Sequence, residues 1–367
     1  MKHLVLGTLT ALTLSLALAA QAPPPPIVET GIPDVDRHIA AAKVAAGTYW
    51  DGLYTAVCGD AVSLSRPAAP RGGGAGRGAG GGGGRGAGGG GGPRAGGGGA
   101  PTGPARETWH ADPVKVFDNA YYLGMTEYSV WAITTSQGII LVDAIYDYSI
   151  ADEVTEGLKK VGLDPAQIKY VIVSHGHLDH AGGAKYLQDT YGAKLIMSAA
   201  DYDLLDQQNP SWKPKRDMVA TDGMQLTLGD TTLTLYLTPG HTLGTISTII
   251  PLRDGTQRHV AAAWGGTRFN FGRNVEQLKM YAASAERFRG IAEKAGADVV
   301  FSNHTEFDGS KAKLLALTAA AATKLSRTAA GVGFKNPYVV GPDAAKRYLT
   351  VANECAQAAV AGLMANP

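Results

Sequence analysis

Apolar residues along this chain fall into short runs of two kinds, and the kinds alternate. "SVWAITTSQGIILVDA" carries two apolar runs separated by a polar pair and Gly138, which predicts two strands meeting at a turn. "IADEVTEGLKKVG" follows with helical spacing, and predicts a helix capped by Ser149 and stopped at Gly162. A buried strand "YVIVSH", a helix "GGAKYLQDTYG" and a strand "KLIMS" come next. "MQLTLGDTTLTLYLTPGHT" reads as two strands around Gly229 and Asp230, with "STIIPL" and "HVAAAW" as two more. A helix near 274 to 295 leads into the strand "ADVVFSNH", and Ala- and Leu-rich helical text closes the chain. Helices and hairpins therefore mix with strand-helix-strand units, the pattern of a layered α/β fold rather than a simple parallel sheet.

The first hundred residues read differently. Lys2 and His3 precede an apolar run from Leu4 to Leu18 and then small residues, which predicts a signal peptide over 1–22 with the mature chain starting near Gln21 or Pro23. That run is shorter than the about 20 apolar residues of a membrane-spanning helix. The expectation is a periplasmic or secreted protein without a membrane anchor. Residues 23–65 form an N-terminal helical segment, with Val35, Ile39, Trp50, Leu53 and Val57 in helical spacing after Pro33. From 66 to 106 the text is Gly- and Arg-rich and holds nothing to fill a core, so it reads as a disordered insertion. Residues 107–367 are the expected catalytic domain with C-terminal helices.

Composition adds two constraints. The chain of 367 residues has a formal charge of +1, which gives no general attraction to polyanions. The arginines of the glycine-rich tract admit a nucleic-acid-binding reading, but it lacks aromatics on which bases would stack, and no nucleic-acid partner is expected. The two cysteines, Cys58 and Cys355, admit a disulfide in an oxidising compartment, or a role as two buried small apolar residues.

The chemistry lies in "VIVSHGHLDHAGG". His175 and His177, two apart at a strand end, point the same way and reach one ion together. Asp179 and His180 follow in the next loop, where Gly182 and Gly183 permit a tight turn. Alone, a strand-end histidine reads as a packed residue. Four ligand-type residues within six positions do not. His241 in "TPGHT" and His304 in "VVFSNH" also close apolar strands, and bring the donors to three per ion: His175, His177 and His241 for one, and Asp179, His180 and His304 for the other. Imidazole and carboxylate donors without cysteine suit two zinc ions in open catalytic sites. His3, His38, His110 and His259 lack such surroundings and read as structural.

These motifs resemble the metallo-β-lactamase superfamily, whose diagnostic run is His-x-His-x-Asp-His followed by two later strand-end histidines. The resemblance spans about 107 to 310, through "GIILVDA", "SHGHLDHAGG", "LTPGHT" and "SNHTEFDG". It implies a four-layered αβ/βα sandwich with a dinuclear centre at one edge. Many members carry a bridging aspartate where this chain has Trp264 and Gly265. The ligand set is most similar to the third subclass of class B metallo-β-lactamases, with an Asp-His-His second zinc site. The implied activity is opening of the β-lactam ring by a metal-activated water, with His175, His177 and Asp179 catalytic. Asp143 resembles the family's aspartate beneath the metal loop, and Thr267 or Arg268 stands where substrate carboxylate is held. Another cyclic amide, lactone or ester as the small-molecule substrate is the alternative. A third reading is a binding protein acting through the Arg/Gly tract, with a structural metal site.

Overall fold

The computed structural model describes residues 27–67, 103–323 and 334–367. The signal-peptide assignment over 1–22 and nearly all of the 66–106 tract lie outside these residues.

Two helices open the described chain, α1 (Pro33–Ala46) and α2 (Asp51–Ser65). The helical pattern expected to run on is interrupted at Gly47, whose positive φ of 54° ends α1. Strands β1 (Val114–Phe117), β2 (Ala120–Tyr122), β3 (Trp131–Thr135) and β4 (Gly138–Val142) form an antiparallel meander. A π-helical turn, Ala151–Thr155, runs into α3 (Glu156–Lys160), which ends at Gly162. Ser149 does not cap this helix, contrary to the expectation. Its hydroxyl donates instead to the Tyr146 carbonyl and the Met125 sulfur.

Next come β5 (Ile168–Ile172), the single turn α4 (Leu178–Ala181), α5 (Ala184–Tyr191), β6 (Lys194–Ser198), α6 (Ala199–Gln208) and β7 (Met218–Ala220). The second half supplies β8 (Met224–Leu228), β9 (Thr231–Leu237), β10 (Ile246–Asp254), β11 (Gln257–Trp264), α7 (Val275–Lys294), β12 (Val299–Ser302), α8 (Ser310–Ala322) and α9 (Pro342–Ala365). Among the described residues the strands form two sheets, ordered β1 to β7 and β12-β11-β10-β9-β8. In the first, the β4, β5, β6 and β7 neighbours pair in parallel.

Side-chain alternation explains the layering. In β4, Ile140 and Val142 face the second sheet and pack with Leu233, Leu235, Ile250 and Phe301. Ile139 and Leu141 face the other way, onto Val154, Leu158 and Leu187 of the first helical layer. In β11, Ala261 and Ala263 join the core between the sheets, whereas Ala262 and Trp264 face α1, α2, α7 and α9. Trp131 and Phe301 stack across the two sheets with ring centroids 3.8 Å apart. The result is helix, sheet, sheet, helix, the four-layered αβ/βα sandwich.

The N-terminal pair α1 and α2 shares one core with α7 and α9. A Cys58–Cys355 disulfide joins α2 to α9. No helix among the described residues is long and apolar enough to cross a membrane.

Candidate metal centre

Strands β4, β5, β9, β11 and β12 all end at one edge of the sandwich, and the loops leaving them converge there. Buried parallel strands leave their connecting loops as the places where polar groups can be presented. After β5 the chain passes through Ser174 to His175, Gly176 and His177. His177 then opens α4, its carbonyl accepting from the amides of His180 at 3.1 Å and Ala181 at 2.8 Å. One helical turn thus places Asp179 and His180 beside the first two histidines.

His241 arrives on the loop after β9. His304 follows β12 and is fixed by the 125–130 loop: Ser129 donates to the Asn303 carbonyl at 3.0 Å and Thr305 to the Glu127 carbonyl at 3.1 Å.

Hydrogen bonds settle which ring nitrogen faces the centre. His175 Nδ1 lies 2.7 Å from the Gly265 carbonyl, and His241 Nδ1 lies 2.7 Å from the Arg268 carbonyl. His180 Nδ1 lies 2.9 Å from Asp143 Oδ2. Carbonyl and carboxylate oxygens only accept, so each of these Nδ1 atoms carries a proton and each Nε2 turns inward as the ligating atom.

The inward atoms meet. His241 Nε2 is 3.0 Å from His175 Nε2 and 3.1 Å from His177 Nδ1. His180 Nε2 is 3.2 Å from both His304 Nε2 and Asp179 Oδ2, with His304 Nε2 to Asp179 Oδ2 at 3.7 Å. Ligands about 2.0–2.1 Å from a tetrahedral zinc stand about 3.3 Å apart, so the donor spacing fits two such ions side by side. His175, His177, His241 and His175, Asp179, His180 form clusters whose ligand atoms lie within 4.8 Å of one another.

The electrostatics suit ligation. Burial, with the neighbouring imidazoles, pushes His241 and His304 down to about 3 and His175 well below the ordinary histidine value. Neutral imidazole is the form that binds metal. Burial opposes charge on His180 too, yet Asp179 and Asp143 push it up to about 10. Burial likewise opposes ionisation of Asp179, but His180 beside it holds the carboxyl well below its usual range.

The surroundings hold the ligands. Asp143 adopts φ 69° at the end of β4, an uncommon conformation for a residue with a side chain. Its carboxylate accepts from the Ser174 amide at 2.7 Å, the Ser174 hydroxyl at 3.0 Å and His180. The aspartate beneath the metal loop thus orients both loop and ligand. Trp264 and Gly265 stand where the resemblance implies a bridging carboxylate, and at Gly265 and the adjoining Gly266 a side chain has no room. A Cβ on Gly265 would lie 1.8 Å from the Ile246 carbonyl oxygen, and one on Gly266 would lie 2.5 Å from the His241 Cβ. Asp254 closes β10 opposite Gln257, at the far end of that hairpin from Trp264.

Sequence reasoning missed Asp201 of α6, which is buried and accepts from the Gly176 amide at 3.0 Å and the Thr242 hydroxyl at 2.8 Å. It ties the His175–His177 loop to the His241 loop. It missed Asn303 as well, whose amide donates to the Gly265 carbonyl at 2.9 Å. No local signal marks either residue, because each bonds to groups far away in sequence.

Thr267 and Arg268 follow the glycines. Thr267 is buried, and the Arg268 guanidinium makes two hydrogen bonds to Asp60 of α2, at 2.6 and 2.7 Å. His38, His110 and His259 pair with Glu354, Glu153 and Asp298, each at 2.6 Å and apart from the cluster. On its open side the centre borders a cleft of about 270 Å³ lined by His177, His241, Leu204, Leu243, Phe271 and Gln277 among others, with no Lys or Arg in the lining.

Residues 124–255 match the family model of the metallo-beta-lactamase superfamily. The chain carries a metallo-β-lactamase superfamily domain. Among solved structures, it is similar to BJP-1, a subclass B3 metallo-β-lactamase of Bradyrhizobium japonicum, with 27% identity and a TM-score of 0.55 over 66% of this chain and 91% of that one. A metallo-β-lactamase of Cronobacter sakazakii aligns with 27% identity and a TM-score of 0.56, over 70% of this chain and 97% of that one. Curated relatives of the metallo-β-lactamase domain have other names. A hydroxyacylglutathione hydrolase of Acidiphilium cryptum is 29% identical over 35% of this chain and 46% of its own length. An N-acyl homoserine lactonase of Rhizobium johnstonii is 27% identical over 39% of this chain and 60% of its own. The chain spans about half the length of these two relatives.

Proposed function

We propose that this metallo-hydrolase opens β-lactam rings with two zinc ions, outside the cytoplasm. The observation that carries the reading is the donor set: His175, His177 and His241 face one position and Asp179, His180 and His304 the next, with no bridging carboxylate at Gly265. The B3 likeness across nearly the whole of BJP-1 supports it. Export is supported by the leader-like N-terminus and by a disulfide of the kind that persists in oxidising compartments.

Bound zinc would supply Lewis-acid polarisation of the carbonyl and a water acidic enough to react near neutral pH. His175, His241 and His180, held through Nδ1, fix the direction of their lone pairs. The ionised Asp179 accepts a hydrogen bond from the attacking water and orients it. Water adds to the carbonyl carbon, the ring C–N bond breaks, and the nitrogen takes up the proton the water releases. No serine nucleophile enters: the Ser174 hydroxyl is engaged with Asp143.

A lactone or thioester is the second reading, favoured by a cleft lining without Lys or Arg and by the commitment of Arg268 to Asp60. The test is turnover of a penicillin, a cephalosporin, a carbapenem, an acyl homoserine lactone and an acylglutathione thioester, with chelator and then with zinc restored. Chelator-sensitive, zinc-restored lactam hydrolysis is expected. Such turnover of the lactone or thioester alone moves the substrate to the second reading, and no turnover of any by zinc-loaded protein overturns both.

A further inference from the structure

The peptide group between Arg268 and Phe269 is bonded on both sides. Its carbonyl accepts the His241 Nδ1 proton at 2.7 Å, and its N–H donates to Asp60 Oδ2 at 3.2 Å. The Arg268 side chain adds Nε and Nη2 bonds to the same carboxylate, at 2.6 and 2.7 Å. A carboxylate on the N–H of a peptide polarises it, and its carbonyl becomes the stronger acceptor. Asp60 is thereby linked to the ring of a ligand histidine through one peptide unit.

Asp60 belongs to α2, far from the metal loops in sequence. Two residues earlier on that helix, and so roughly on its opposite face, Cys58 is bonded to Cys355 of α9. At the start of α2, a Cβ on Gly52 would lie 2.3 Å from the Glu306 carbonyl oxygen, so the helix backbone rests on the loop just past His304. Helix α2 is clamped by α9 behind it and touches the segments that hold His241 and His304.

We infer that Asp60 is a positioning residue of the metal centre, and that the N-terminal helix α2 is part of the scaffold that sets the His241 ring. This rests on the reading of the cluster as a zinc site. It concerns the hydrogen-bonded orientation of a ligand and not the identity of the substrate.

The experiment measures zinc affinity by competition with a chromophoric chelator in the full chain, for wild type, D60N, R268K and R273A. Arg273 donates to the Leu64 and Arg66 carbonyls at 2.8 and 3.0 Å, holding the same segment to the end of α2 without touching the 268–269 peptide. Imidazole-orienting partners alter metal affinity by about 10–100-fold, and D60N is expected at the lower end, about tenfold, with R268K in the same direction. R273A is expected to bind zinc as wild type does. In the metal-free protein, the ¹⁵N-detected His241 Nδ1 proton is expected to shift in D60N and R268K and to stay in R273A. Wild-type affinity and an unmoved proton in both D60N and R268K overturn the inference, as does an equal loss in R273A. A wild-type chain that takes up no zinc overturns the metal reading and the inference with it.

Discussion

His180 Nδ1 donates to Asp143 Oδ2 across 2.9 Å, and both side chains are almost wholly shut off from solvent. The same carboxylate oxygen accepts the Ser174 hydroxyl. Asp143→Asn leaves one oxygen for three donors and sets an amide N–H against another. The His180 ring is then expected to move its proton toward Nε2, the ligating atom. Zinc affinity should fall by about 10–100-fold while the far-ultraviolet circular dichroism is retained. Chelator competition checks this, and unchanged affinity contradicts it.

Zinc uptake should be pH-dependent with a definite sign. In the metal-free protein His180 keeps its second proton up to about 10, whereas His241 and His304, down at about 3, are already neutral at pH 7. Ligation by His180 therefore expels one proton from that ring throughout the neutral range, and a metal-bound water that ionises adds to it. Affinity is expected to rise by at least about tenfold per pH unit between 6 and 9. Calorimetry in buffers of different ionisation enthalpy reads the released proton directly.

Asp201 gives a stability prediction for the metal-free chain. Burial pushes its carboxyl up to about 6, against the bonds from Thr242 and Gly176. The folded state thus holds this proton more tightly than the unfolded one does. Its stabilisation is complete below about pH 4 and is lost as pH rises through 6, a change of about 3 kcal/mol. Asp201→Asn cannot ionise, and the fall in urea stability between pH 4 and 7 should shrink by that order. An unchanged fall would show that Asp201 does not titrate there.

The Cys58–Cys355 bond closes a loop of nearly the whole described chain, with a sequence separation of 297. Serine at both positions is expected to lower the unfolding free energy by about 2–5 kcal/mol. Denaturant midpoints of the double variant and of wild type, each with and without reductant, check it.

Four of the six donors, His175, His177, Asp179 and His180, were legible as a run too dense to be packing alone, and His241 and His304 because each closes an apolar strand within the resemblance. Asp143 was legible only through the family resemblance, as the aspartate beneath the metal loop. What orients the ligands was not: the carbonyls of Gly265 and Arg268 act through backbone, which leaves no residue-type signature. Asp60 and Asp201 lie on helices whose approach to the site depends on tertiary packing. Strands β1, β2 and β7 were missed because three or four residues are too few to establish a period. The arginine expected to meet substrate is instead paired with Asp60, a contact between residues 208 apart that no local pattern reveals.

The most direct test of the central claim is the zinc stoichiometry of the purified chain by metal titration, set beside His175→Ala and Asp179→Asn. Two equivalents for wild type are expected, with weakened uptake and no hydrolytic turnover in both variants and a retained fold by circular dichroism. Full turnover from a metal-stripped protein, or wild-type uptake and activity in both variants, would contradict the dinuclear account.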